Sequence, residues 1–132
     1  MRLVEIRSMA GIVIHVAEVA KTASNPLREA VSEAYRARAY LGGACLAGSN
    51  LEGINLEGIS LDGACLDQAT LTGARLRGAS FANASFREAY LDGADLAVAQ
   101  LRGACLTHAR LVDACLDDAS LAYANLARCQ LA

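Results

Sequence analysis

Large aromatic residues are nearly missing from this chain. It has no tryptophan, and aromatic residues make up only 5 % of its 132 residues, whereas apolar residues as a whole make up 55 %. Much of that apolar content is alanine and leucine. A core built from them must be narrow and regular, because nothing bulky is available to fill irregular gaps. The length fits one domain.

The chain also lacks a strong charge, a long apolar run and a paired cysteine motif. Its formal net charge of −2 gives no reason to expect direct binding to nucleic acid or to an anionic membrane. No stretch approaches the roughly 18 to 20 apolar residues of a membrane span. Glu5 and Arg7 interrupt the apolar start, which argues against a secretion signal. Five cysteines without a CxxC pair argue against a disulfide framework, so we expect a reduced, cytoplasmic protein.

A strict five-residue repeat fills most of the chain. From Leu41 to Leu131 every fifth residue is a large apolar centre, seventeen times Leu and twice Phe, and Ala stands two places earlier in fifteen of the nineteen units. In an α-helix a step of five would spiral the leucines around the axis. In a flat strand successive leucines would alternate between faces. The repeat instead indicates short extended sides joined by corners, with the small residue and the centre both pointing inward.

Glycine marks many of the expected corners. If a four-residue turn starts at each centre, the second residue after the centre is the third of the turn, where a type II turn needs a positive φ that glycine adopts without strain. Corners without glycine, such as those at Gln68 and Val98, are expected to form a second turn class. Six of the glycine corners are Gly43, Gly53, Gly63, Gly73, Gly93 and Gly103.

The unit A-x-L-x-G resembles the pentapeptide-repeat family, whose pattern is A-(D/N)-L-x-x. The resemblance covers residues 39 to 132, although Asp or Asn precedes the centre in only four units. It implies an all-β solenoid, a right-handed quadrilateral β-helix with twenty residues per coil, so the nineteen units would make about 4.75 coils. The expected core includes Leu41, Leu61, Phe81, Phe86, Leu101 and Leu121. Phe81 and Phe86 should meet inside, and exposed charges twenty residues apart should pair: Glu57 with Arg77, Asp67 with Arg87, Arg75 with Asp95.

Residues 1–38 do not follow the repeat and predict a cap. Residues 3–16 alternate in polarity around a turn and favour a β-hairpin. Residues 26–37 favour an α-helix, with Asn25 as N-cap and Pro26 in the first helical position. The first coil of a solenoid exposes its backbone and its leucine column, so we expect the hairpin and helix to cover it.

The last coil has no comparable cover in the sequence. Leu126, Cys129 and Leu131 would face solvent there. We therefore expect that two copies of the chain can stack end to end through these residues.

Few residues suggest catalysis, a metal site or a cofactor. Cys45, Cys65 and Cys105 fall on one outer side, but a zinc site needs four converging ligands and a flat side presents a line. A nucleophile pair of Cys105 and His108 would need a pocket, and a rod filled with leucine offers none. We expect no enzyme activity, metal or cofactor. The redox state of Cys45 and Cys65 is left open, since they are close enough to test for a disulfide.

Two functions remain open. A rigid rod with four flat sides suits binding to other proteins, so the first hypothesis is a protein–protein interaction or scaffold module with a protein partner. The second comes from the family resemblance, because quinolone-resistance members resemble B-form DNA and act on DNA gyrase. Residues 39–132 hold ten acids and six arginines, a net charge of −4, with Arg75, Arg77 and Arg87 in mid-rod. A DNA mimic should show columns of acid, so we favour the first hypothesis.

Overall fold

The computed structural model describes residues 1–132 and begins with a β-hairpin and a helix. Strands β1 (Arg2–Arg7) and β2 (Val13–Val19) pair antiparallel, with a β-bulge next to Arg7. Helix α1 spans Pro26–Arg36. The hairpin is longer than residues 3–16, because Ala17 and Val19 continue the alternation of β2 and are buried. The helix stops one residue short of the predicted residue 37.

Capping bonds define both ends of α1. The Asn25 side-chain oxygen accepts a hydrogen bond from the Arg28 N–H at 3.2 Å. At the other end Arg38 has a φ of 58°, its N–H donates to Tyr35 O, and the Ala39 N–H donates to Ala34 O. This pair of bonds is a Schellman motif, which turns the chain sharply into the first coil.

The chain from residue 39 onward coils with a period of twenty residues. Parallel bridges join residues twenty apart, from Cys45–Cys65 to Arg110–Gln130. Each bridge rests on two backbone bonds: the Leu46 N–H donates to Cys65 O at 2.8 Å and the Cys65 N–H to Ala44 O at 2.9 Å. Four five-residue sides therefore complete each coil, as the resemblance implied.

The large apolar centres form the core inside this four-sided stack. Leu41, Leu61 and Leu101 are buried, and the rings of Phe81 and Phe86 meet edge to face with centroids 5.0 Å apart. An aromatic pair of this kind adds roughly 0.5–1.5 kcal/mol beyond the burial of its area. Leu121 is only half-buried, because it lies in the last coil and has neighbours on one side only.

The prediction of two turn classes is wrong. Corner glycines have φ values of 66° to 74°, and the corner residues that are not glycine have values of 57° to 61°. Both kinds of corner bond to the next coil in the same way: the Gly63 N–H donates to Ala82 O and the Gln68 N–H to Arg87 O, each at 2.8 Å. The stack therefore holds every corner in one left-handed geometry, and a residue other than glycine tolerates the strain.

The predicted charge pairs are also wrong in register. Glu57 pairs with Arg75 at 2.8 Å, and Asp92 pairs with Arg110 at 3.1 Å. Both pairs are eighteen residues apart and not twenty, because the residue after one centre leans towards the residue before the centre one coil later. The Asp67 carboxylate follows the same diagonal when it accepts from the Ser85 hydroxyl, eighteen residues later, and it also accepts from the backbone N–H of Arg87, twenty residues later.

The cap supplies hydrogen bonds that a preceding coil would otherwise give. In the stack the carbonyls of Thr70, Thr72 and Arg77 accept from N–H groups nineteen residues earlier. The equivalent carbonyls of the first coil accept from the hairpin-helix segment instead: Asn25 Nδ2 donates to Asn50 O, Arg28 Nη1 to Glu52 O and Tyr35 Oη to Glu57 O, at 2.6–2.8 Å.

The hairpin and the helix complete the cap. The Cys45 N–H donates to Arg7 O at 2.7 Å, which attaches the hairpin to the first coil. Ala30, Val31 and Ala34 of α1 belong to the same buried cluster as the leucines of the coils. The first coil is thus covered on its backbone and on its core.

Candidate interaction surface

A groove of about 650 Å³ lies where the cap meets the first two coils. The end of α1 and the chain that follows it form one wall, and the end of the first coil with the start of the second forms the other. The lining residues are Tyr35, Arg36, Arg38, Ala39, Tyr40, Glu57, Gly58, Ile59 and Ser60. We call this set the cap groove. Its shape follows from the Schellman turn at Arg38, which leads the chain away from the helix axis.

Tyr40 lies in the cap groove because Gly42 has no side chain. The Tyr40 side chain is 62 % exposed, and a Cβ placed on Gly42 would lie 2.1 Å from the Tyr40 hydroxyl oxygen and 2.3 Å from ring carbons. The ring therefore rests on the glycine backbone. Gly42 is the one residue directly after a centre that is glycine, and this is the sequence signal for the groove that the repeat analysis missed.

The cap groove carries positive charge without internal partners. Arg36 and Arg38 form no ion pair, whereas Glu57 on the opposite wall is paired with Arg75. Residues 1–38 contain six basic and four acidic side chains, a net +2, against the net −4 of residues 39–132. The groove thus combines exposed aromatic surface with unpaired guanidinium groups.

The cysteines and histidines do not assemble a catalytic pair. Cys105 bonds at 3.5 Å to the Thr107 hydroxyl, not to His108. Burial, the largest single influence, acts to raise the pKa of Cys105, but the Thr107 hydroxyl and the Arg87 guanidinium together lower it below its ordinary value. His15 contacts Glu33 at 2.7 Å and links β2 to α1. No group of three or more His, Cys, Asp or Glu side chains could hold a metal ion.

The three residues predicted at the C-terminal end differ in exposure. Leu131 is 56 % exposed, but Leu126 and Cys129 are half-buried and pack against the core. The Cys129 thiol donates to Leu106 O at 2.8 Å, and burial raises the pKa of this thiol. The expectation that all three would face solvent is therefore wrong for Leu126 and Cys129.

Comparison with known proteins places the chain in a family. The profile of the pentapeptide repeats matches residues 39–78 and 79–118, with eight copies. The chain belongs to the pentapeptide-repeat family, and its coils form a right-handed quadrilateral β-helix. No protein with a curated description matches the chain.

No helix in the structure has the length and apolar character needed to cross a membrane.

Several solved structures are similar to this chain. Rfr23 from the cyanobacterium Cyanothece 51142 is 29 % identical over 67 % of this chain and 60 % of its own, with a TM-score of 0.35. The pentapeptide repeat protein alr5209 from Nostoc PCC 7120 is 35 % identical over 70 % and 69 %, with a TM-score of 0.35. QnrB1, a plasmid-mediated fluoroquinolone resistance protein, is 18 % identical over 63 % and 58 %, with a TM-score of 0.39. The chain thus spans less than two thirds of Rfr23.

Proposed function

We propose that this protein is a non-catalytic interaction module that holds an acidic segment of a partner protein in the cap groove. The observation that carries the proposal is the pairing of exposed Tyr40 with the unpaired Arg36 and Arg38 in one concave surface. Tyrosine and arginine are the residue types that most often dominate binding energy at protein interfaces. The rod behind the groove is filled by leucine and phenylalanine, so it supports the groove rigidly.

Complementary charge defines the kind of partner. The two guanidinium groups favour carboxylates, which they can contact with paired hydrogen bonds. The exposed ring of Tyr40 offers an apolar surface for an aliphatic or aromatic side chain between those carboxylates. The partner segment we propose therefore alternates acidic and apolar residues.

Photo-crosslinking in the host cell tests this proposal. A benzophenone amino acid at position 40 should give an adduct with one partner, and the same group at Tyr90, which is 47 % exposed on the rod, should not. Reversing the charge with Arg36→Glu should remove the adduct. Equal adducts from positions 40 and 90, or an adduct that survives the charge reversal, would refute the groove as the binding surface.

The charge of the coils does not favour the alternative of DNA mimicry toward gyrase. Arg75 and Arg110 interrupt the outer columns and are 60 % and 46 % exposed along their side chains. QnrB1 is similar at an identity that shows the fold alone. A gyrase supercoiling assay separates the two functions: we expect unchanged supercoiling at micromolar protein, and inhibition or protection would restore the alternative.

We also propose that two copies meet through the last coil, at Leu126, Cys129 and Leu131. The exposed Leu131 side chain supports this contact, and a second copy presents the same coil geometry. Light scattering over a concentration series should show a dimer that Leu131→Arg dissociates. A strict monomer at high concentration would contradict it.

A further inference from the structure

Cys45 and Cys65 stand on adjacent coils in matched positions. Each precedes a centre on the same outer side, and a parallel bridge pairs them directly. Two backbone bonds of 2.8 and 2.9 Å hold the coils together at this bridge. Paired residues of neighbouring strands lie about 4.8 Å apart, so the two side chains leave the backbone in parallel at that spacing. Cys65 is 7 % exposed and Cys45 is half-buried.

This spacing fits a disulfide poorly. A disulfide brings its two Cβ atoms to about 3.8 Å, whereas parallel side chains in register keep them near the coil spacing of about 4.8 Å. Closing the difference would pull two coils together against the backbone bonds on either side. Both cysteines are accordingly free thiols in the structure.

The same spacing fits a metal ion held in line between two sulfur atoms. A zinc–thiolate bond is about 2.3 Å long, and a linear sulfur–metal–sulfur unit with bonds of about that length spans about 4.6 Å. Soft thiolates select ions such as Cu(I). We propose that Cys45 and Cys65 form a two-coordinate site for a soft monovalent cation of the Cu(I) type. Each thiol releases its proton to solvent, two copper–sulfur bonds form, and no oxidation state changes.

The surroundings of the two thiols limit the number of ligands to two. No third His, Cys, Asp or Glu side chain joins Cys45 and Cys65 in a group that could hold a metal ion. Burial is the main cause that raises the pKa of Cys65; the Asp67 backbone N–H acts against the rise, and the Asp67 carboxylate and Cys45 add to it. The expectation of no metal rested on a zinc site with four converging ligands, which a two-coordinate ion does not need.

Anaerobic titration with Cu(I) against a chromophoric chelator tests the site on the full chain. A variant with Cys105→Ser, Cys115→Ser and Cys129→Ser should still bind one equivalent of Cu(I). Adding Cys45→Ser or Cys65→Ser to it should remove that equivalent. X-ray absorption should report two sulfur ligands and no third. Circular dichroism of each variant checks that the coils remain folded.

A cysteine pair placed at another parallel bridge tests whether the spacing of the bridge creates the site, and not thiol chemistry in general. Asn50 and Thr70 form a parallel bridge on the next side of the same coils. Asn50→Cys with Thr70→Cys, in a chain without the five native cysteines, should restore one equivalent of two-coordinate Cu(I). The proposal fails if copper still binds when Cys45→Ser is added to the variant without Cys105, Cys115 and Cys129, or if three sulfur atoms coordinate the copper. It also fails if mild oxidation readily converts Cys45 and Cys65 to a disulfide.

Discussion

The coils next to the cap and the coils at the far end have the same backbone conformation but differ in sequence and burial. Seven of the eight corners between residues 43 and 78 are glycine, against one of the six between 103 and 128. The centres near the cap are at most 1 % exposed, whereas Leu116, Leu121 and Leu126 are half-buried and Leu131 is exposed. The stack, and not the corner residue, therefore sets the geometry, and stability should fall from the cap towards the C-terminal end.

The largest expected effect compares two leucines in the same column of centres. Leu46 is fully buried beneath the cap, and Leu126 is half-buried in the last coil. Leu46→Ala should lower the free energy of unfolding by about 2–5 kcal/mol, because it leaves a cavity between rigid coils. Leu126→Ala should cost roughly 1 kcal/mol, since less apolar surface is lost from the core. Urea unfolding followed by circular dichroism measures both, and equal losses would remove the proposed gradient.

The second prediction concerns an exchange of corner residues between neighbouring coils. Gly78 and Val98 occupy the same corner one coil apart, with φ values of 69° and 61°. No atom lies within 4 Å of a Cβ placed on Gly78, so Gly78→Val tests backbone strain alone and should cost about 1–3 kcal/mol. Val98→Gly should stabilise by up to about 1 kcal/mol, as the relieved strain exceeds the entropy that glycine loses on folding.

The two exchanges make matched controls for each other. The double variant again has one glycine and one valine in this column. The change in its free energy of unfolding should lie near the sum of the two single changes. A loss of stability on Val98→Gly would show that the valine side chain contributes packing that outweighs its strain.

Sequence alone could predict the inward columns but not how the outer residues interact. The period of five fixes which side chains point inward, and the resemblance supplied the coil of twenty residues. The φ of the corner at Val98 could not be predicted, because local preference disfavours a positive φ for valine and the bonds to adjacent coils override it. The partner of Glu57 depends on the direction in which the outward side chains tilt. The length of the repeat does not determine that direction. The cap groove depends on one tyrosine that folds onto Gly42, and the repeat pattern does not fix the residue type at either of these two positions.

The third prediction compares an aspartate whose carboxylate accepts hydrogen bonds from the next coil with an aspartate whose carboxylate accepts none. The Asp62 carboxylate accepts from the Ser80 hydroxyl and from the Ala82 N–H at 2.9 Å, whereas the Asp117 carboxylate, near the far end, makes no hydrogen bond and is exposed. Asp62→Ala should cost about 1–2 kcal/mol. Asp117→Ala should change stability by no more than about 0.5 kcal/mol. Hydrogen exchange should show faster exchange of the Ala82 amide in the first variant only, and unchanged exchange there would contradict the bond.

The smallest effect tests the diagonal register of the outer charges. The Glu57–Arg75 pair is largely exposed, so a double-mutant cycle with Glu57→Ala and Arg75→Ala should give a coupling of only about 0.2–1 kcal/mol, reduced in high salt. The same cycle with Arg77→Ala, the partner expected from the coil length, should give a coupling near zero. A larger coupling to Arg77 would mean that charges pair straight along the rod in solution. The eighteen-residue rule, which also relates Asp92 to Arg110, would then fail as a description of the outer surface.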